Sequence, residues 1–260
     1  MRLSVLDNGH RLRAKLFLRL SGGDAPDVPR MLLYRPDFFA RPLLAVTVPA
    51  MRGPSYWTAG EREYIAMRTA QLHRCPFCVD SHTELVRLAG HGEIKADDPE
   101  SARPQLRAVR AFLDTTQTPG RVGRVGDVPA SAVEEALRVD LVWNVVNRLA
   151  NAFGFTLRGD QLHSGTRALH RFGYKFPGFL LAGGAADLDD PIETLRRVTA
   201  PDTAPEYAEL VRSSSYKITD EVVERLKADH SEDEIFEITA AAAVEAALRS
   251  YDAGRSSLSV

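Results

Sequence analysis

Apolar residues recur along this chain at spacings of three and four. Over 58–72, Glu63, Ala66, Met67 and Ala70 fall at i, i+3, i+4 and i+7, which is one stripe of an amphipathic helix. Thr58 with Glu61 supplies a capping-box signature for its start. A second helical run over 79–89 begins behind Pro76, a favoured first helical residue, and stops at Gly90, a natural C-cap. Ser131 with Glu134 reads as another capping box, opening a long apolar helix to Phe153. Ser231 with Glu234 reads as a third, and its helix runs through Ile235, Ile238, Ala242, Val244 and Leu248 to Gly254. That last helix faintly echoes 58–72, as an old duplication would. Helical patterns also cover 103–113, 206–213 and 220–229, and short helices over 36–39 and 43–48 fit between the prolines. No sustained period-two alternation and no hairpin turn between alternating runs is found, so the predicted fold class is all-α.

Three regions follow from these breaks: an N-terminal arm with short helices over 1–56, a core over 57–155, and a connector with a C-terminal helical region over 156–260. In the arm, Leu12, Leu16 and Leu20 lie beside Arg11, Lys15 and Arg19. This pattern predicts a helix packed on the body or on another subunit, with a membrane surface as the weaker alternative. Arg62 and Arg68 fall on the polar side of 58–72, and Trp57 is expected at that helix's entry. Inside the long helix, Asp140, Asn144, Asn147 and Asn151 form a polar stripe. Such a stripe faces either solvent or a site or subunit interface. The glycines at 120, 123 and 126 read as a loop, because no strand precedes them as a nucleotide cradle requires. His163 and His170 read as surface residues, and the apolar run 179–184 as tucked against the core.

Composition narrows the class without naming it. The 260 residues are 44% hydrophobic and 26% charged with a net charge of −2, ordinary for a globular protein and unlike a general nucleic-acid binder. No apolar run approaches the roughly 18 residues of a membrane span. The start carries no secretory signal pattern, so a cytoplasmic protein is expected.

The chemistry gathers in one stretch. The chain's two cysteines, Cys75 and Cys78, are separated by Pro76 and Phe77, and His82 follows four residues after Cys78. On a helix, residues four apart are neighbours, so His82 can reach the Cys78 sulfur. An imidazole and a helix N-terminus both lower a thiol pKa. Glu63 sits on an apolar stripe, where a carboxylate needs a partner, and His82 is the obvious one. The expected relay runs from Glu63 to His82 to Cys78, with Cys75 placed to close a disulfide. The alternative is a structural zinc site on Cys75, Cys78 and His82, with His73 or Asp80 as a fourth ligand, although a single CxxC is a weak zinc signal.

Glu63, eleven residues, Cys75, two, Cys78, three and His82: this spacing resembles that of the AhpD-like alkylhydroperoxidases of the carboxymuconolactone decarboxylase superfamily. The resemblance covers 57–155, including the run around Asn147, Arg148 and Gly154. It implies an AhpD-like helical bundle, a homo-oligomer, and a redox role without a bound cofactor. It also implies that Cys78 is oxidised to a sulfenic acid by a hydroperoxide and that Cys75 resolves it as a disulfide. A lipoyl or thioredoxin-like dithiol then restores the thiols. Phe77 is a departure, since the best-known members have a histidine between the cysteines. The sister branch of non-redox decarboxylase-like enzymes as a rule lacks the cysteine pair. A helical protein with merely buried cysteines is the remaining expectation.

Overall fold

A computed structural model describes residues 1–20, 25–118, 123, 125–181 and 188–259. The fold is all-α, and no strand is found among the described residues. At its centre runs α8 (Ala130–Phe153), which follows α1 (Val5–Asn8), α2 (Leu12–Leu20), α3 (Asp27–Tyr34), α4 (Arg41–Arg52), α5 (Ala59–Leu72), α6 (Pro76–Ala89) and α7 (Pro104–Thr116). After it come α9 (Gln161–Phe172), α10 (Gly178–Leu181), α11 (Pro191–Arg196), α12 (Pro205–Ser214), α13 (Asp220–Leu226) and α14 (Glu232–Ser256). α8 is apolar almost all round, which fits a helix enclosed by others. α4, α5, α6, α7, α12 and α14 all pack against it.

Two of the three expected capping boxes form. The Thr58 hydroxyl accepts from the Glu61 amide while Glu61 accepts from the Thr58 amide, and Ser231 and Glu234 do the same for α14. The third does not form. α8 begins at Ala130 behind Pro129, so Ser131 is already inside the helix and Glu134 pairs with Arg138 one turn on. The expected short helix over 43–48 is part of the longer α4, entered from a π-helical turn at Pro36–Ala40. Trp57 does sit at the entry to α5, 1% exposed, its indole N–H donating to the Ala132 carbonyl at 2.7 Å.

The N-terminal arm packs on the body: Leu3 and Leu6 are wholly buried in the main core. α2, however, buries Ala14 and Leu18, while Leu12 and Leu16 are 82% and 57% exposed. Arg62 is another correction. It is buried rather than on a polar side, its guanidinium donating to the Ala50 and Gly53 carbonyls. The polar stripe of α8 is not solvated either, because Asp140, Asn144 and Asn147 are buried between packed helices. Asp140 accepts from Thr69 of α5 at 2.7 Å and from Gln117, next after α7, at 2.9 Å. Asn151 donates to the His73 carbonyl at 2.9 Å.

The described positions of the glycine loop, 123, 125 and 126, belong to no helix; the rest of it lies outside the described residues, as does the end of the 179–184 run. Within that run, Leu180 is buried but Phe179 is 56% exposed. His163 is exposed and faces Glu84 of α6, and His170 is half-buried. No described helix is long and apolar enough to cross a membrane.

Candidate functional site

α5 ends in a Schellman motif. The Arg74 amide donates to the Gln71 carbonyl at 3.1 Å and the Cys75 amide to the Ala70 carbonyl at 3.0 Å, with Arg74 left-handed at φ 51°. Cys75 is therefore fixed by the end of one helix and is itself the N-cap of the next. Its sulfur accepts from the Cys78 amide at 3.4 Å, so the N-terminus of α6 serves Cys75 rather than Cys78. The two sulfurs lie 2.7 Å apart, both thiols are free, and both side chains are buried.

His82 lies one turn beyond Cys78 on α6 and is 1% exposed. Its Nδ1 is 2.8 Å from Glu63 Oε2, so α5 and α6 bring together the pair expected from the spacing. Trp143 of α8 packs edge-on against the imidazole, ring centres 4.0 Å apart. Among the described residues no hydrogen bond joins His82 to Cys78; the two are neighbours through the helix turn alone.

Glu63 is completely buried yet well supplied with donors. Arg52 Nη2 reaches Oε1 at 2.5 Å, and the Tyr174 hydroxyl is 2.9 Å from both carboxylate oxygens. Burial pushes the Glu63 pKa up, but His82 and then Arg52 outweigh it, and the carboxyl lies below its usual range. Burial and the neighbouring Glu63 push the Tyr174 hydroxyl well up, which keeps it a donor. Because Glu63 is an acceptor only, Nδ1 of His82 is the donor in this hydrogen bond, which leaves Nε2 facing away from the carboxylate. Burial, and after it Cys75, raise the Cys78 thiol well above its ordinary value. This differs from the lowered pKa expected from the sequence, and the reason is the dry setting: a thiol in apolar surroundings needs a base to ionise.

Arg52 and Tyr174 lie outside the cysteine stretch, and sequence reasoning missed both. Arg52 is at the last turn of α4, and Tyr174 follows the α9 C-cap Gly173 with a left-handed backbone at φ 65°. The Arg52 guanidinium also lies over the Tyr174 ring, 5.0 Å from its centre. No spacing rule links residues 52, 63 and 174. The one available signal was Glu63 itself, whose buried position called for more than one donor.

The zinc alternative finds no support in the geometry. No cluster of three or more His, Cys, Asp or Glu side chains able to hold a metal occurs among the described residues. His73 is turned away toward Arg148, and burial holds its pKa well below the usual value.

Compared with protein-family models, with curated proteins and with solved structures, the chain finds no match in any of the three.

Proposed function

We propose that this chain is a dithiol oxidoreductase that reduces hydroperoxides, in the manner of the AhpD-like alkylhydroperoxidases whose motif it resembles. The observation that carries this reading is the buried Cys75–Cys78 pair with an imidazole one turn away, itself oriented by an ionised carboxylate. His82 Nε2 takes the Cys78 proton. The thiolate attacks the distal oxygen of the hydroperoxide and the O–O bond breaks. Cys78 becomes a sulfenic acid, and the alkoxide leaves as alcohol with the proton from His82. The Cys75 sulfur then displaces the sulfenic oxygen as water, forming the disulfide. An external dithiol, lipoyl or thioredoxin-like, reduces that disulfide by exchange and is itself oxidised. The reading includes a homo-oligomer and a reducing, cytoplasmic compartment, where free thiols persist.

A second reading is favoured by the N-cap position of Cys75: thiol–disulfide exchange begun by the Cys75 sulfur. The two differ in one experiment. Anaerobically reduced protein is given one equivalent of hydroperoxide, and free thiols are counted over time. Peroxide reduction predicts loss of two thiols in the wild type and none in Cys78→Ser, whereas Cys75→Ser still forms a sulfenic acid. Undiminished peroxide turnover in Cys78→Ser would sink the first reading.

A further inference from the structure

Glu63 and His82 belong to α5 and α6, but the other two groups on the carboxylate come from either side of that core. Arg52 closes α4, and Tyr174 follows α9. Both reach a carboxylate with no exposure to solvent. The backbone holds Tyr174 in place: Gly173 and Tyr174 are both left-handed, at φ 61° and 65°. A non-glycine residue adopts that region only when its surroundings impose it. Arg52 braces the turn, since its Cγ lies 3.4 Å from where a Cβ on Gly173 would stand.

We infer that Arg52 and Tyr174 are positioning residues that set how strongly His82 attracts a proton, by dividing the charge of Glu63 among three donors. This rests on the reading of His82 as the base for Cys78. A carboxylate shared with Arg52 and the Tyr174 hydroxyl offers less charge to the His82 Nδ1–H. The ring then remains free to accept at Nε2. Remove one donor, and the carboxylate leans harder on the imidazole and stabilises its protonated form. The ring is then occupied by a proton up to a higher pH and is lost as a base there.

The groups around the pair are few. α5 brings Arg62, which touches carbonyls of residues 50 and 53; α6 brings Cys75 and Cys78; α4 brings Arg52; and the turn after α9 brings Tyr174. α8 presents Trp143, which does not titrate, while Asp140 and Arg148 of that helix are engaged by Thr69 and His73.

The test reads the imidazole itself. Long-range proton–nitrogen spectra of the reduced full-length protein follow the His82 ring across pH in wild type, Tyr174→Phe and Arg52→Lys. Above the midpoint, the expected wild-type signature is a proton on Nδ1 and none on Nε2. In Tyr174→Phe the titration midpoint moves up by about half a pH unit or more. Arg52→Lys keeps the charge and moves it less in the same direction, and serves alone if the Phe variant does not fold. Midpoints that match wild type, or a neutral ring whose single proton sits on Nε2, would overturn the inference. The peroxide-driven thiol count is run on the same samples. Moved midpoints without thiol loss in any sample leave the coupling standing and remove the peroxidase reading. Thiol loss with unmoved midpoints does the reverse.

Discussion

Two buried acids of this protein respond to pH in opposite senses. Glu63 is ionised in the fold, so its contribution is present above its unfolded pKa and is lost as pH falls through the lower folded value. Asp140 is the reverse. Burial raises its pKa from 3.8 to about 6, against the pull of its hydrogen bonds, Thr69 first. Between those values the folded chain binds a proton that the unfolded chain has released, so stability falls as pH rises. About two pH units correspond to roughly 3 kcal/mol. Asp140→Asn removes that slope. Urea midpoints at pH 4 and pH 6 should show the variant gaining stability relative to wild type as pH rises; an equal difference between the two pH values in both proteins would show that Asp140 carries no such load. At this scale the sequence was legible where chemistry demanded a local partner. Glu63 and His82 share adjacent helices, and the apolar position of the acid told of its burial. Arg52 and Tyr174 were illegible because nothing local requires them. Asn147 was legible as part of the α8 stripe, but not its burial with no partner for its amide among the described residues.

Far from the cysteines, Gly60 of α5 meets Gly90, the C-cap of α6, backbone to backbone. A Cβ on Gly60 would stand 2.5 Å from Gly90 Cα and 2.9 Å from its nitrogen. The obstacle is backbone, so the helices themselves must separate. Overpacking of this kind costs about 1–3 kcal/mol. The Glu63–His82 hydrogen bond, 2.8 Å long, spans the same interface. Gly60→Ala is therefore expected to lower the urea midpoint and slow peroxide-driven thiol loss together. Gly178→Ala in α10 meets nothing within 4 Å and serves as a neutral control. A Gly60→Ala protein with wild-type stability would show that this contact does not set the helix spacing. Element boundaries were legible where a cap is a local device, as at Thr58 and Ser231. They were misread where tertiary packing decides. Ser131 looked like a cap, but Pro129 starts α8 earlier. The exposed face of α2 was misassigned, because Ala14 and Leu18 meet Leu33 and Leu180, a contact that periodicity does not reveal.

The largest-scale question is whether the cysteine-bearing core over 57–155 can stand without its flanks. One apolar cluster runs from Leu3 in the arm through Trp57, Trp143 and Phe153 to Phe236 and Tyr251 of α14. Arg2 closes the C-terminus of α8, donating to the Asn151 and Ala152 carbonyls at 2.5 and 3.1 Å, and Lys227 in turn donates to the Arg2 carbonyl at 2.7 Å. α14 covers a face of α8 that would otherwise meet water. The loss of Ile235, Phe236, Ile238, Val244 and Leu248 from the cluster would forfeit several side chains at about 1.5–3 kcal/mol each. That approaches the 5–15 kcal/mol by which a whole domain is stable. Removing the flanks also strips Glu63 of Arg52 and Tyr174, leaving a buried carboxylate with one donor instead of three. The excised segment should therefore fail to fold, whereas the full chain unfolds in a single step. Both tryptophans are buried within 57–155, so their fluorescence reports that region and its contacts with Met51 and Tyr174, while circular dichroism reports every helix. Coincident urea transitions by the two probes in the full chain, with no cooperative transition in the 57–155 segment, are the expected result. A fluorescence transition that survives excision would mean that the core is autonomous, and that Arg52 and Tyr174 adjust a site that exists without them.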